Sequence, residues 1–222
     1  MRTFIFCTSF INGDPVTHTL GRYERWVKYY SPLLDELQAE RMFLIDDGGK
    51  DYGDINVISG DLPAEATSVV NVYRFEETLG RRSVMDFPGW WRSFLFSIEI
   101  ARKYGYDRII HIESDFFILS DRLKEYIKNL ENGWISMYSD HYSIPETGIQ
   151  VICKDAFDIF TDFKEKHLNA NYQMDQYAEL ILPFTHVNSS FIGDRLGNKR
   201  VINGWINKSP ALLSRLDYIG QV

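Results

Sequence analysis

One acid-x-acid triplet occurs in this chain, Glu113-Ser114-Asp115, directly after the run Arg108-Ile109-Ile110-His111-Ile112. Isoleucines at 109, 110 and 112 read as a strand covered on both faces, the habit of a central parallel strand. In extended geometry, side chains two apart leave the same face, so Glu113 and Asp115 are expected to converge. Ligands of open α/β sheets bind beyond the carboxyl ends of the strands, where this pair falls. Two carboxylates there suit a hard divalent cation, which commonly carries substrate phosphates as well. Scattering 31 acidic residues over 222 positions predicts about four such pairs by chance, so position weighs more than spacing.

The elements that must hold the triplet alternate early in the chain. Residues 3–10 read as a first strand, and 21–37 as a helix with Tyr23, Trp26, Val27, Tyr30, Leu33 and Leu34 at 3/4 spacing and a break at Pro32. A second strand over 42–45 stops at Asp46-Asp47-Gly48-Gly49, and 56–58 and 68–74 are short strands. The stretch 75–89, with Gly80-Arg81-Arg82 and Phe87-Pro88-Gly89, reads as a long functional loop. A helix over 90–104 places Trp91, Phe94, Leu95, Ile98 and Ala101 on one face and ends at Gly105. Ser120 caps a further helix to about 132, and strands over 133–138 and 148–153 flank a polar loop at 139–147. Helices over 155–166 and 172–180 follow, then a C-terminal stretch rich in Gly, Asn and basic residues. Strand–helix alternation followed by a mixed half predicts a three-layer α/β arrangement.

Length and balance fit one soluble domain, with 45% hydrophobic and 25% charged residues over 222 positions. A net charge of −7 argues against a nucleic-acid footprint. Cys7 and Cys153 lie in apolar runs and read as buried thiols, so a cytoplasmic setting is expected. No run reaches the roughly 18 apolar residues of a membrane span. The N-terminal apolar run leads into the turn Asn12-Gly13-Asp14-Pro15 and reads as a strand, not a signal peptide.

A first strand ending in Thr8-Ser9-Phe10, a second ending in Asp46-Asp47-Gly48, then a helix leading to a strand that ends in Glu113-Ser114-Asp115, resembles in that order the GT-A fold of metal-dependent, nucleotide-sugar glycosyltransferases. The likeness covers about residues 3–120 by motif and the rest by general layout, and the triplet departs from the commoner Asp-x-Asp. The resemblance implies a single Rossmann-like three-layer α/β/α domain with a central mixed, mainly parallel sheet, in which about 1–120 bind the donor and about 121–222 the acceptor. It implies Mn²⁺ or Mg²⁺ held by Asp115 and Glu113, with His186 as a third ligand, against the diphosphate of a nucleoside-diphosphate sugar, taken to be a UDP-sugar. Thr8, Ser9, Phe10 and Ser114 would line the donor, and an acid of Asp46-Asp47 would reach base or ribose. Arg92, at a helix start, would meet phosphate or a sugar hydroxyl. Arg81 and Arg82 could fold over the diphosphate, as could a basic flap at Gly193-Asp194-Arg195 and Lys199-Arg200. Trp91 belongs to the core stripe while Trp90 offers a face to a sugar or base. His111 is expected to be structural, and His141 to meet sugar.

Such a transferase needs a group to deprotonate the acceptor hydroxyl of a glycan or glycoconjugate. Asp175, at the expected start of the 172–180 helix, is the first candidate and Glu146 the second. Two alternatives stand beside this one. A sugar nucleotidyltransferase would want a basic Gly-rich loop after strand one, yet no Lys or Arg occurs between Thr8 and Arg22. A non-catalytic sugar- or nucleotide-binding module on the same fold is the other. Acids at i, i+2 stand too close for the ~5–9.5 Å arrangement of a glycosidase pair.

Overall fold

The computed structural model describes residues 1–11, 19–50, 52, 55–83, 85–168, 171–174, 176–195, 201–202, 205–206 and 214–221. Its elements are β1 (Thr3–Ser9), α1 (Thr19–Tyr30), β2 (Arg41–Asp46), β3 (Asn56–Ser59), β4 (Val70–Arg74), α2 (Pro88–Tyr104), β5 (Arg108–Ile112), β6 (Phe117–Ile118), α3 (Asp121–Lys128), β7 (Trp134–Ser139), β8 (Ile144–Cys153), α4 (Phe157–Leu168), α5 (Ala178–Ile181), β9 (His186–Asn188), β10 (Gly193–Asp194), β11 (Val201–Ile202), β12 (Trp205–Ile206) and β13 (Tyr218–Ile219). The central sheet has the order β3-β4-β2-β1-β5-β8-β7-β9. Strands β3, β4, β2, β1 and β5 are parallel; β8 is antiparallel to β5 and β7, and β9 parallels β7.

Because strand side chains alternate, each buried strand feeds two cores. Ile5, Cys7, Met42, Leu44, Ile110 and Ile112 face α1 and α3, where Tyr23, Trp26, Tyr30, Leu123 and Ile127 cover them. Phe4, Phe6, Phe43, Ile45 and Ile109 face α2 and α4, meeting Trp91, Phe94, Ile98 and Phe160. The result is the three-layer, mainly parallel arrangement expected. Cys7 and Cys153 are buried free thiols.

Several local expectations hold for their stated reasons. α1 stops at Tyr30 and a single 3₁₀ turn, Ser31–Leu33, carries Pro32, which has no N–H to continue the helix. Gly105 closes α2 at φ +67°, and the Ser120 hydroxyl accepts the Leu123 N–H at the start of α3. Two expectations fail. The polar loop at 139–147 is mostly strand, because β8 extends back to Ile144 and pairs with β7 past an irregularity at Ser136/Met137. The helix at 172–180 shrinks to α5, since Asn171 and Tyr172 hold φ +48° and +58°, outside the right-handed helical region.

A second small sheet, β10-β13-β6, went unforeseen. It returns the C-terminal segment to the carboxyl end of β5. Gly193 makes this possible, since a Cβ there would lie 2.0 Å from the Tyr218 ring. Among the described residues, no helix is long and apolar enough to cross a membrane.

Candidate functional site

Two chambers open beyond the carboxyl ends of β1, β2 and β5. The first, about 550 Å³, is bordered by Thr8, Ser9, Phe10, Arg81 and Ser114. The second, about 640 Å³, is bordered by Trp91, Asp115, Phe116, Tyr142, Tyr177, Glu179 and Arg195. Arg22, Phe87, Trp90 and Glu113 line both and so form the junction.

The triplet does not bring its two carboxylates together as an extended strand would. β5 ends at Ile112, and the Phe116 N–H donates to the Glu113 carbonyl at 2.9 Å, closing a turn. The two carboxylates therefore go separate ways. Glu113 turns onto the sheet end, where the Thr8 hydroxyl donates to both its oxygens at 3.0 and 3.1 Å and the Trp90 indole N–H donates to Oε1. His111 Nε2 stands 3.0 Å from the same oxygen, too bent for a well-formed hydrogen bond.

Below Glu113 a buried relay fixes the imidazole. The Trp134 indole can only donate, so Gln150 Oε1 must be its acceptor at 3.0 Å. The Gln150 amide nitrogen then faces Thr147 O at 2.8 Å and His111 Nδ1 at 3.3 Å. Nδ1 is thereby the acceptor, and the ring proton sits on Nε2, toward Glu113. Burial pushes the Glu113 carboxyl up, but His111, Trp90 and Arg22 more than offset this and hold it below the ordinary range. His111, expected to be structural, is fully buried and supports this carboxylate.

Asp115 goes the other way, to Arg22 Nη2 at 2.9 Å. Burial raises its carboxyl, with Arg22 opposing and Glu113 adding to the rise. Arg22 is the residue that sequence reasoning missed; its only signal was being the first cation after β1, in the opening turn of α1.

Asp46 and Asp47 both hold the scaffold, and Asp47 also borders the first chamber. Asp46 is fully buried and accepts from the Ser9 hydroxyl, the Ile11 and Gly49 N–H groups and the Tyr52 hydroxyl. These four donors fill a carboxylate's lone pairs. Asp47 accepts the Leu79 and Gly80 N–H groups and Arg92 Nη2, so it seats the 76–87 loop. Gly89 is required there, because a Cβ would lie 2.1 Å from Asp47 Oδ2. Arg92 is committed in turn, donating also to the Glu77 carbonyl and lying 4.0 Å over the Phe75 ring. It borders neither chamber.

Of the other candidates, Thr8, Ser9, Phe10 and Ser114 border the first chamber, with Phe10 exposed and the Ser9 hydroxyl spent on Asp46. Trp91 is core, as expected, although its edge reaches the second chamber. Trp90 stacks 5.0 Å from the Phe94 ring and borders both chambers. Arg81 lies 4.5 Å over the Phe87 ring.

Glu146 is fully buried; Gly148 N–H donates to it at 2.9 Å and Arg195 Nε stands 3.4 Å away. Burial pushes its carboxyl up to about 7, with Arg195 opposing. Hidden behind Arg195, which also pairs with Glu179 at 2.7 Å, it borders neither chamber. His186 sits on β9 beside Ile135, whose β8 partner Val151 pairs with Ile110. Three strand spacings of ~4.8 Å separate it from β5, about 14 Å. It therefore does not join the acids. His141 is exposed in the turn before β8. Asp175, Lys199 and Arg200 lie outside the described residues.

The side chains fit a hard cation poorly. Thr8 and Trp90 donate to Glu113 and the His111 ring crowds the same oxygen, so little of this carboxylate is open to a cation. Asp115 already faces a guanidinium, and no group of three metal-ligating side chains exists among the described residues.

No family model and no curated protein matches the sequence. Among solved structures, the chain is similar over its full length to a glycosyltransferase involved in the glycosylation of the major capsid of PBCV-1, at 10% identity, 93% coverage of that chain and TM-score 0.54. Two structures of the glycosyltransferase GlyE from Streptococcus pneumoniae TIGR4 align at 13% identity with TM-scores of 0.42 and 0.49. The alignments take in 85% and 100% of this chain, which spans 44% and 54% of the GlyE chains, and that likeness is too loose to build on. The chain thus shares the fold of a solved glycosyltransferase, and at 10% identity the fold is all that this likeness establishes.

Proposed function

We propose that this chain is a glycosyltransferase that moves a sugar from a nucleoside-diphosphate sugar, with UDP-sugars the first to test, onto a hydroxyl of a glycan or glycoconjugate. The observation that carries this reading is the pair of chambers joined at Arg22, Phe87, Trp90 and Glu113 beyond the parallel strand ends. A nucleoside fits the first chamber, against Phe10 and Arg81. The sugar and the acceptor fit the second, where aromatic faces at Trp90, Tyr142 and Tyr177 alternate with carboxylates at Asp115 and Glu179. The anomeric carbon would then lie near Trp90 and Asp115.

In the transfer, the acceptor oxygen bonds to the anomeric carbon as its proton passes to a carboxylate. The bond from that carbon to the phosphate oxygen breaks, and the nucleoside diphosphate leaves with the electron pair. Asp175 is the proposed proton acceptor, adjacent in sequence to Gln176, which borders the second chamber. Glu146 acts through Arg195 instead.

The test is release of nucleoside diphosphate from a panel of UDP-, GDP- and dTDP-sugars. One donor class should turn over, and Asp175→Asn should cut the rate by about 10²–10⁴-fold with unchanged UDP affinity, the contribution of a positioned base. UDP binding without turnover of any donor would replace the enzyme with a binding module. Failure to bind any nucleoside diphosphate would refute the reading.

A further inference from the structure

The two chambers can hold one nucleoside-diphosphate sugar only if its diphosphate crosses the junction. Of the four residues lining both chambers, Arg22 alone is positive. Its guanidinium bridges to Asp115 Oδ2 at 2.9 Å, yet its side chain is two-fifths exposed and reachable from the cleft. Among the described residues its Nε is buried without a hydrogen-bond partner. An arginine carries five N–H donors in a planar fork suited to phosphate, and Asp115 uses one edge of that fork.

The carboxylates that would carry a cation are otherwise engaged. Thr8, Trp90 and His111 crowd Glu113, and Asp115 faces a positive charge that a divalent ion would have to displace. Arg195 offers no substitute, because Glu146 and Glu179 flank it. Arg81 borders only the nucleoside side.

We infer that Arg22 itself neutralises the donor diphosphate, with Asp115 aiming its guanidinium across the junction, so that donor binding needs no divalent cation. This rests on the nucleoside-diphosphate reading above. It makes Asp115 a positioning residue for Arg22. The leaving diphosphate would then gain its charge against a fixed guanidinium.

The experiment is calorimetric titration of UDP and of uridine into the full chain, in EDTA and in Mn²⁺, for wild type, Arg22→Lys and Arg22→Ala. Circular dichroism melts check that each variant is folded. UDP affinity should change less than about threefold between EDTA and Mn²⁺. Arg22→Ala should weaken UDP about 10- to 100-fold, the range for hydrogen bonds to a charged group, while uridine affinity stays constant. Arg22→Lys should fall between, keeping charge but losing the fork. Tight UDP binding that appears only with Mn²⁺ would overturn the inference and leave the transferase reading standing. Equal loss of UDP and uridine in Arg22→Ala would also overturn it, by making Arg22 a packing residue. Absence of binding by UDP, GDP and dTDP under both conditions would remove the transferase reading and this inference with it.

Discussion

Asp47→Ala separates a scaffold role from a ligand role at the end of β2. Asp47 is 4% exposed and takes the Leu79 N–H (3.2 Å), the Gly80 N–H (2.7 Å) and Arg92 Nη2. Removing it leaves the Arg92 guanidinium, whose side chain is 12% exposed, with the Glu77 carbonyl and the Phe75 ring as its remaining contacts among the described residues. Breaking a buried ion pair from one side costs about 3–5 kcal/mol. The two loop amides add less, since water can reach a loop. At about 2–4 °C per kcal/mol for a chain this size, the melting temperature should fall by about 6–20 °C. That is a large share of the ~5–15 kcal/mol typical of a folded domain, yet small enough for the variant to remain measurable.

Urea unfolding gives the free energy, and a double-mutant cycle with Arg92→Met isolates the pair. Arg92→Met alone should also destabilise, because it strands Asp47. The double variant should lose much less than the sum, with a coupling of about 2–3 kcal/mol. Stability within about 0.5 kcal/mol of wild type in Asp47→Ala, or additivity in the cycle, would refute the seating of the 76–87 loop by this carboxylate. A pure loss of donor affinity with intact stability would restore Asp47 as a ligand contact.

Trp90→Phe keeps a ring over Phe94 but removes the N–H on Glu113, and should cost about 1.5–3 kcal/mol at pH 7. The Glu113 carboxyl is depressed, so its stabilisation is present above the unfolded value of 4.5 and lost as pH falls through the folded one; urea titrations at pH 7 and pH 3 should show the variant's deficit shrinking in acid. Glu146 has the opposite sign: its carboxyl rises from 4.5 to about 7, so between those values the folded chain keeps a proton that the unfolded chain releases. Stability should decline across that window by about 3 kcal/mol at 1.36 per pH unit, and Glu146→Gln should abolish this slope in unfolding curves taken from pH 4 to 8. Gly148→Ala would place a Cβ 2.5 Å from Phe116, whose ring also abuts Gly220, so it cannot retreat. Overpacking of about 1–3 kcal/mol and a raised KM for donor should follow; an unchanged melting temperature would show that the ring yields freely.

What the sequence disclosed follows from local rules acting on single elements. The isoleucines of β5 sit in a fully buried strand, Ser120 and Gly105 bound their helices, and Pro32 stops α1, because each effect depends on near neighbours alone. The C-terminal half was less legible. β6, β10 and β13 are two residues each, too short for any period, and β13 pairs with β6 across 100 positions and with β10 across 25. Arg22 was invisible for the same reason: nothing near it in the chain announces Asp115, 93 positions on. Asp46 and Asp47 have the composition of a ligand-facing turn, and only the Ser9, Ile11, Tyr52 and Leu79 donors brought by other segments show that their acceptors are already filled.

The triplet itself shows where spacing stops being informative. Two acids at i, i+2 converge only while the backbone stays extended. Here β5 ends at Ile112, and the turn closed by Phe116 N–H to Glu113 O rotates the second acid away from the first. What keeps the turn tight is packing: Phe116 is 3% exposed and fits between Gly148 and Gly220, each of which would clash with it if it carried a Cβ. The same ring thus sends Asp115 toward α1, where Arg22 meets it, and leaves Glu113 to Thr8, His111 and Trp90. Divergence of the two carboxylates creates two distinct jobs. Glu113 locks β1, β5 and α2 together at the junction, and Asp115 pairs with the Arg22 guanidinium beside it. A Gly220→Ala variant that stays folded should therefore disturb the Asp115–Arg22 pair through Phe116, weakening UDP more than uridine, whereas equal effects on both would mean that the ring shapes only the wall of the cleft.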